Sequence, residues 1–109
     1  MPAGVRWTVH DRFGNSIHLT EERWEHIISP ENHPKLAGHE ADLKDTIRTG
    51  ARKQDALNPR KYRYSKAFDN LPADNTHTIA IVLFGFTETE TGQPEPNNYI
   101  TTAYMKEIG

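Results

Sequence analysis

The run T-I-A-I-V-L-F-G-F at positions 78–86 is the one long apolar stretch in an otherwise polar chain. Alternation sends Ile79, Ile81 and Leu83 to one side of a strand, and Ala80, Val82, Phe84 and Phe86 to the other. Both sides are apolar, so the spacing predicts a strand covered on both faces, at or near the middle of a sheet. The β-branched residues and the length of the run favour a strand over a buried helix.

Working outward, residues 60–68 alternate Tyr62 and Tyr64 against Lys61, Arg63 and Ser65, and pair with a strand over 51–57 through a turn at Asn58-Pro59. Residues 98–106 form the last strand, with Tyr99, Thr101, Ala103 and Met105 on one side and Ile100, Thr102, Tyr104 and Lys106 on the other. Residues 88–97 read as an acidic, proline-containing mobile loop. Toward the N-terminus, 5–19 is a hairpin around Phe13-Gly14-Asn15. A three-residue loop there pairs Val9 with Leu19 and His10 with His18, and puts Trp7, Val9, Ile17 and Leu19 on one face. Thr20 is a good N-cap for a first helix that stops before Pro30 and buries Trp24, Ile27 and Ile28. His26 then faces water or a cleft. Residues 30–38 are a loop, and 39–49 a second helix with Leu43 and Ile47 inward, a Glu40–Lys44 pair and Gly50 as its stop. The expectation is a single α+β domain over residues 1–109. It has an N-terminal hairpin and two helices packed on one face of a roughly four-stranded antiparallel sheet.

Composition narrows the chemistry. The absence of cysteine excludes a disulfide, a thiolate nucleophile and a Cys-type metal site. There is no P-loop, no G-x-S-x-G, no Gly-rich dinucleotide turn and no paired-carboxylate site. The six histidines match no ligand spacing, so neither metal nor cofactor is expected. No long apolar segment or signal-peptide pattern is present, which predicts a cytoplasmic chain with no membrane partner. The formal net charge is −2, unevenly distributed: residues 48–66 hold seven cations against Asp55, a local +6, and the remainder carries −8. A cationic patch on an acidic body can hold a polyanion, and it can equally be a solvated edge protected from aggregation.

His, Arg, Lys, Tyr and Thr suit RNA cleavage without metal, in which the RNA's own 2′-OH attacks the phosphate while the protein supplies base, acid and cations. His26, near a helix C-terminus with Arg23 one turn before it, is the acid–base candidate, or else a surface histidine pairing with Glu22. Arg60, Lys61 and Arg63 are candidates for phosphate contact. Tyr62 and Tyr64 are candidates for stacking or proton transfer, with core packing the better account of one of them. Thr101, Thr102 and Tyr104 are explained equally well by strand propensity.

The motif I-H-L-T-E-E-R-W-E-H-I at 17–27, H-P-K-L at 33–36, the basic Y-R-Y at 62–64 and T-T-A-Y at 101–104 resemble a small prokaryotic and phage nuclease-like family of the barnase–EndoU–colicin–RelE (BECR) fold group. The resemblance runs from about Asp11 to Lys106. It implies two helices on a four-stranded sheet and a toxin-like, metal-independent ribonuclease with RNA as substrate and a protein antitoxin as partner. By position it implies catalytic roles for Arg23, His26, Arg63, Tyr62, Thr102 and Tyr104. Arg52, Arg60, Lys61 and Tyr64 are the expected substrate-binding residues. The alternative is a non-catalytic module that uses the basic hairpin 48–66 to bind nucleic acid or an acidic protein.

Overall fold

The apolar run becomes a central strand as far as Leu83, while Phe86 belongs to a separate two-stranded sheet. In the computed structural model, which describes residues 4–108, the elements in chain order are β1 (Val5–His10), β2 (Ser16–Thr20), α1 (Glu21–Ile27), a 3-10 turn (Pro34–His39), α2 (Glu40–Thr49), β3 (Ala51–Gln54), β4 (Lys61–Ala67), β5 (His77–Leu83), β6 (Phe86–Glu88), β7 (Pro94–Pro96) and β8 (Asn98–Lys106). The fold is α+β. β5 lies between β4 and β8 in one sheet ordered β1-β2-β8-β5-β4-β3.

The sheet therefore has six strands and not four, because the N-terminal hairpin joins it. The junction is a short parallel pairing in which Ile17 lies opposite Asn98 and His18 opposite Tyr99, so the sheet is mixed. The hairpin register also differs from expectation: His10 pairs with Ser16, Val9 with Ile17, Thr8 with His18 and Trp7 with Leu19, closed by a five-residue loop. The shift is two residues, so the apolar face is unchanged, but His10 and His18 are not opposite each other. Gly14 at the turn has φ +86°, a conformation that favours glycine.

Thr20 caps α1 as its sequence predicts, its hydroxyl accepting the Arg23 N–H at 3.1 Å. Trp24 and Ile27 of α1 and Leu43 and Ile47 of α2 pack with Ile17, Leu19, Tyr64, Ala80, Val82, Ile100 and Ala103 on one face of the sheet. Each large side chain so buried contributes about 1.5–3 kcal/mol. Glu40 does not pair with Lys44. It accepts from the Arg6 guanidinium and from Trp7 Nε1 (2.7 Å), while Arg6 Nη1 reaches Glu21 at 2.9 Å, so one arginine ties β1 to both helices. The opposite face of the sheet is less covered. Ile79 is fully buried there, but Ile81 and Leu83 are only half-buried, so β5 is shielded completely on the helix side alone.

Ile100 and Ala103 are both core residues, which strict alternation forbids. A bulge resolves it: Ile81 faces Thr102 and Val82 faces Ile100, leaving Thr101 as the extra residue, its hydroxyl on the Ile81 carbonyl at 3.3 Å. Thr102 and Tyr104 thus stand on the face away from the helices. The acidic segment expected to be a mobile loop is instead an antiparallel arm, β6 against β7, closed by Gly92 at φ +79°. Its base is fastened where the Asn97 N–H donates to the Gly85 carbonyl at 2.8 Å.

Candidate nucleic-acid interface

Alternation on β3 and β4 turns Arg52, Tyr62 and Tyr64 toward the helix side and Lys53, Lys61 and Arg63 away from it. At the end of the sheet where β5 stops, Arg52 becomes the centre of an aromatic cluster. Its guanidinium carbon lies 4.0 Å from the Phe13 ring centroid, 4.6 Å from Tyr62 and 5.8 Å from Phe84. Tyr62 and Phe84 pack tilted at 4.9 Å. Cation–π contacts of this kind stabilise by about 0.5–2 kcal/mol and hold the guanidinium plane in place. Arg60 arrives from the β3–β4 turn and donates Nε–H to the Phe84 carbonyl at 2.8 Å. Its Nη2 lies over Gly85, where a Cβ would come within 2.7 Å, so the glycine makes room for the cation. Arg52, Arg60, Tyr62, Phe84 and Gly85, together with Asn15, Phe86 and Asn98, line a cleft of about 670 Å³, with Phe13 next to it against Arg52. Phe86 is 74 % exposed and stands open to solvent beside the two arginines, whereas Phe13, 47 % exposed, has the Arg52 and Arg12 guanidinium carbons 4.0 and 5.4 Å from its ring centroid.

Asp11 underlies the cleft. Its carboxylate, completely buried, accepts the Tyr64 hydroxyl at 2.5 Å, the Asn15 side-chain amide at 3.0 Å and the backbone N–H groups of Phe13 and Asn15 at 2.9 and 2.8 Å. Arg52 Nη1 stands 3.8 Å away. Burial by itself raises the pKa of this carboxyl. The hydrogen bonds from Tyr64 and Asn15 and from the two backbone N–H groups outweigh it and hold the group below the usual carboxylate range. Burial and the bond to Asp11 push the Tyr64 phenol well above its ordinary value. One side chain thus folds the β1–β2 loop, which carries Phe13 and Asn15 to the cleft, and also fixes Arg52.

No protein-family model matches this chain, and no curated protein or solved structure matches it either.

The residues singled out in the sequence divide into four groups. Arg52, Arg60 and Tyr62 meet in the cleft. Tyr64 is core, its hydroxyl on Asp11 and not at a rim. Lys61, Arg63, Thr102 and Tyr104 belong to the opposite face, where Arg63, Ile81 and Thr102 stand in register across three strands. Arg23 and His26 are exposed on α1. Arg23 lines a small depression with Tyr99 and Ile100, and neither it nor His26 lines the cleft. The imidazole that meets a site tyrosine is a different one: His33 lies 5.8 Å from Tyr104, ring to ring. His18 packs 6.1 Å from Tyr99, and burial pushes its pKa below the ordinary histidine range.

Phe13, Phe84, Phe86, Asn15 and Asp11 were missed. Phe13 carried a usable signal, since an aromatic at a hairpin tip has no core to enter and is exposed by position. Phe84 and Phe86 read as strand residues because nothing local marks the end of β5. Chemically, the cleft offers flat apolar faces, guanidinium N–H donors and an amide, with no carboxylate at its surface. That set stacks bases and takes phosphate oxygens.

Proposed function

We propose that this protein binds single-stranded RNA in the cleft between the β1–β2 loop, the β3–β4 turn and the start of the arm. The observation that carries the reading is the juxtaposition of exposed aromatic faces with two arginines in one open groove. Bases stack on Phe86 or against Tyr62, and Arg60, whose Nη groups remain available, takes a phosphate. An acidic peptide would need the cations and would gain little from the aromatic faces. Anisotropy of labelled oligouridylate tests it. Phe86→Ala and Tyr62→Ala each weaken binding by about 1–3 kcal/mol, the range for loss of one stacking platform, and Arg60→Gln weakens it and flattens its salt dependence. Unchanged affinity in all three variants would refute the reading.

Cleavage of the bound RNA is the second reading, and it rests on the likeness noted for the sequence. One observation favours it. The face opposite the helices sets Arg63 in register with Thr102, and Tyr104 beside the His33 ring, giving a cation, hydroxyls and an imidazole. In that reaction the 2′-oxygen attacks phosphorus, a base takes its proton, and an acid protonates the departing 5′-oxygen, leaving a cyclic phosphate. Incubating RNA with wild type, His26→Ala and His33→Ala in EDTA separates the two readings. Loss of cleavage in either variant supports a nuclease; intact RNA with wild type leaves the binding module.

A further inference from the structure

The cleft uses one side of the β3–β4 ribbon, yet the other side is also cationic and the cleft does not account for it. Lys53 and Arg63 are direct cross-strand partners, a placement of like charges that is unfavourable without a counter-charge. Lys61 lies on the same side, and its one carboxylate, Asp55, is 3.9 Å away. With Gln54 and Ile81 these cations line a depression of about 300 Å³. The Nε of Arg63 is buried and meets no acceptor among the described residues. A buried N–H left without a partner is unfavourable, and on a side chain that lines a cationic hollow a rotation of the guanidinium toward the hollow would relieve it. An oxyanion met side-on by the turned guanidinium, through Nε and one Nη, is a ligand that would hold it there.

We propose that this hollow is a second anion site, for a phosphate group. Resting on the reading of the cleft as an RNA seat, we infer that a strand bound there continues over the β3–β4 turn and places a neighbouring phosphate on Lys53, Lys61 and Arg63. The turn belongs to both sites: Pro59 and Arg60 line the cleft, and Asp55 and Ala56 line the hollow. Arg60 and Lys61 are consecutive, so cations follow one another around it. β3 is the last strand of the sheet, and no further strand bars the way.

Two measurements test this. In the first, inorganic phosphate is titrated into isotope-labelled protein. The Arg63 Nε–H resonance and the amides of Lys53 and Lys61 shift, and the shift disappears in Arg63→Gln. In the second, oligouridylates from a dinucleotide to a dodecanucleotide are compared. Lys53→Gln, Lys61→Gln and Arg63→Gln remove the extra affinity of the long oligomer and lower its salt slope by about 0.7 per contact, while the dinucleotide binds to Lys53→Gln as to wild type. Arg60→Gln weakens both lengths. Should Arg63→Gln fail to fold, Lys53→Gln and Lys61→Gln carry the test. A length gain that survives these substitutions, with no phosphate shift at Arg63, overturns the second site and leaves the cleft standing. Failure of every oligomer to bind overturns both. Tighter binding of polyglutamate than of oligouridylate assigns the surface to an acidic protein and overturns the RNA path.

Discussion

Asp11 shows how much of a groove can depend on one buried carboxylate. Its four hydrogen bonds shape a loop, and its charge faces Arg52. Tyr64→Phe removes one donor without changing volume much and leaves the carboxylate short of a partner. The expected cost is about 1–3 kcal/mol, read from urea unfolding. The pH dependence follows from sign. The folded pKa of Asp11 lies below its unfolded value of about 3.9, so its contribution is complete above that value and is lost as pH falls toward the folded one. Asp11→Asn flattens the acid limb of the stability curve, measured by thermal melts between neutral and strongly acid pH. An equally steep limb in the variant would mean another group governs it. The glycines give a second residue-scale contrast. A Cβ at Gly50 would meet the backbone oxygens of Thr46 and Ser65 at 2.3 and 2.7 Å, whereas at Gly85 the close neighbour is the end of the Arg60 side chain. Gly50→Ala is expected to cost about 1–3 kcal/mol. Gly85→Ala leaves the melting temperature near wild type and weakens ligand binding by displacing Arg60. The cation density of 48–66 made Arg52 and Arg60 visible in the sequence, and the alternation of 60–68 made Tyr62 visible. Asp11 was invisible there, since its partner Tyr64 lies 53 positions away.

At the scale of elements, β6 and β7 form an arm whose residues are all exposed. It buries little, and its base is already bridged by Asn97 to Gly85. Replacing residues 86–96 by a short glycine linker is expected to leave the melting temperature within a few degrees of wild type while weakening the proposed binding of RNA, because Phe86 goes with the arm. A large loss of stability would show that the arm supports the core. What the sequence disclosed about elements follows the range of the forces involved. Helix caps, the apolar run and the Asn98–Lys106 strand are set by neighbours in the chain, and all were legible. The Thr101 bulge and the junction of β2 with β8 are set by packing between distant segments, and periodicity carries no trace of them. The arm reads as a loop in the sequence because its strands are three residues each and contain two prolines.

For the whole molecule, the separation of charge has a measurable consequence. Seven cations between positions 48 and 66 sit on a body whose remainder is −8. Arg48 lies on α2, and the other six spread over both faces of the β3–β4 ribbon instead of forming one plane. Association with a single-stranded polyanion is expected to be steeply salt-dependent even though the net charge is negative, with each cation removed lowering the slope of log affinity against log salt by about 0.7. A slope unaffected by Arg60→Gln would exclude that cation from contact. The two-pair parallel junction matters at this scale too. The hairpin supplies one wall of the groove and the rest of the sheet supplies the others, so the groove straddles a seam with only two residue pairs of backbone pairing, backed by the Asn98 amide on the Ser16 carbonyl at 3.1 Å, the Asp11–Tyr64 bond and the burial of Ile17 and Leu19 in the shared core. The core holds the helix side of that seam and the rim of the groove rests on the polar fasteners, so amide exchange in the β1–β2 loop is expected to slow when a ligand of the proposed kind bridges both walls.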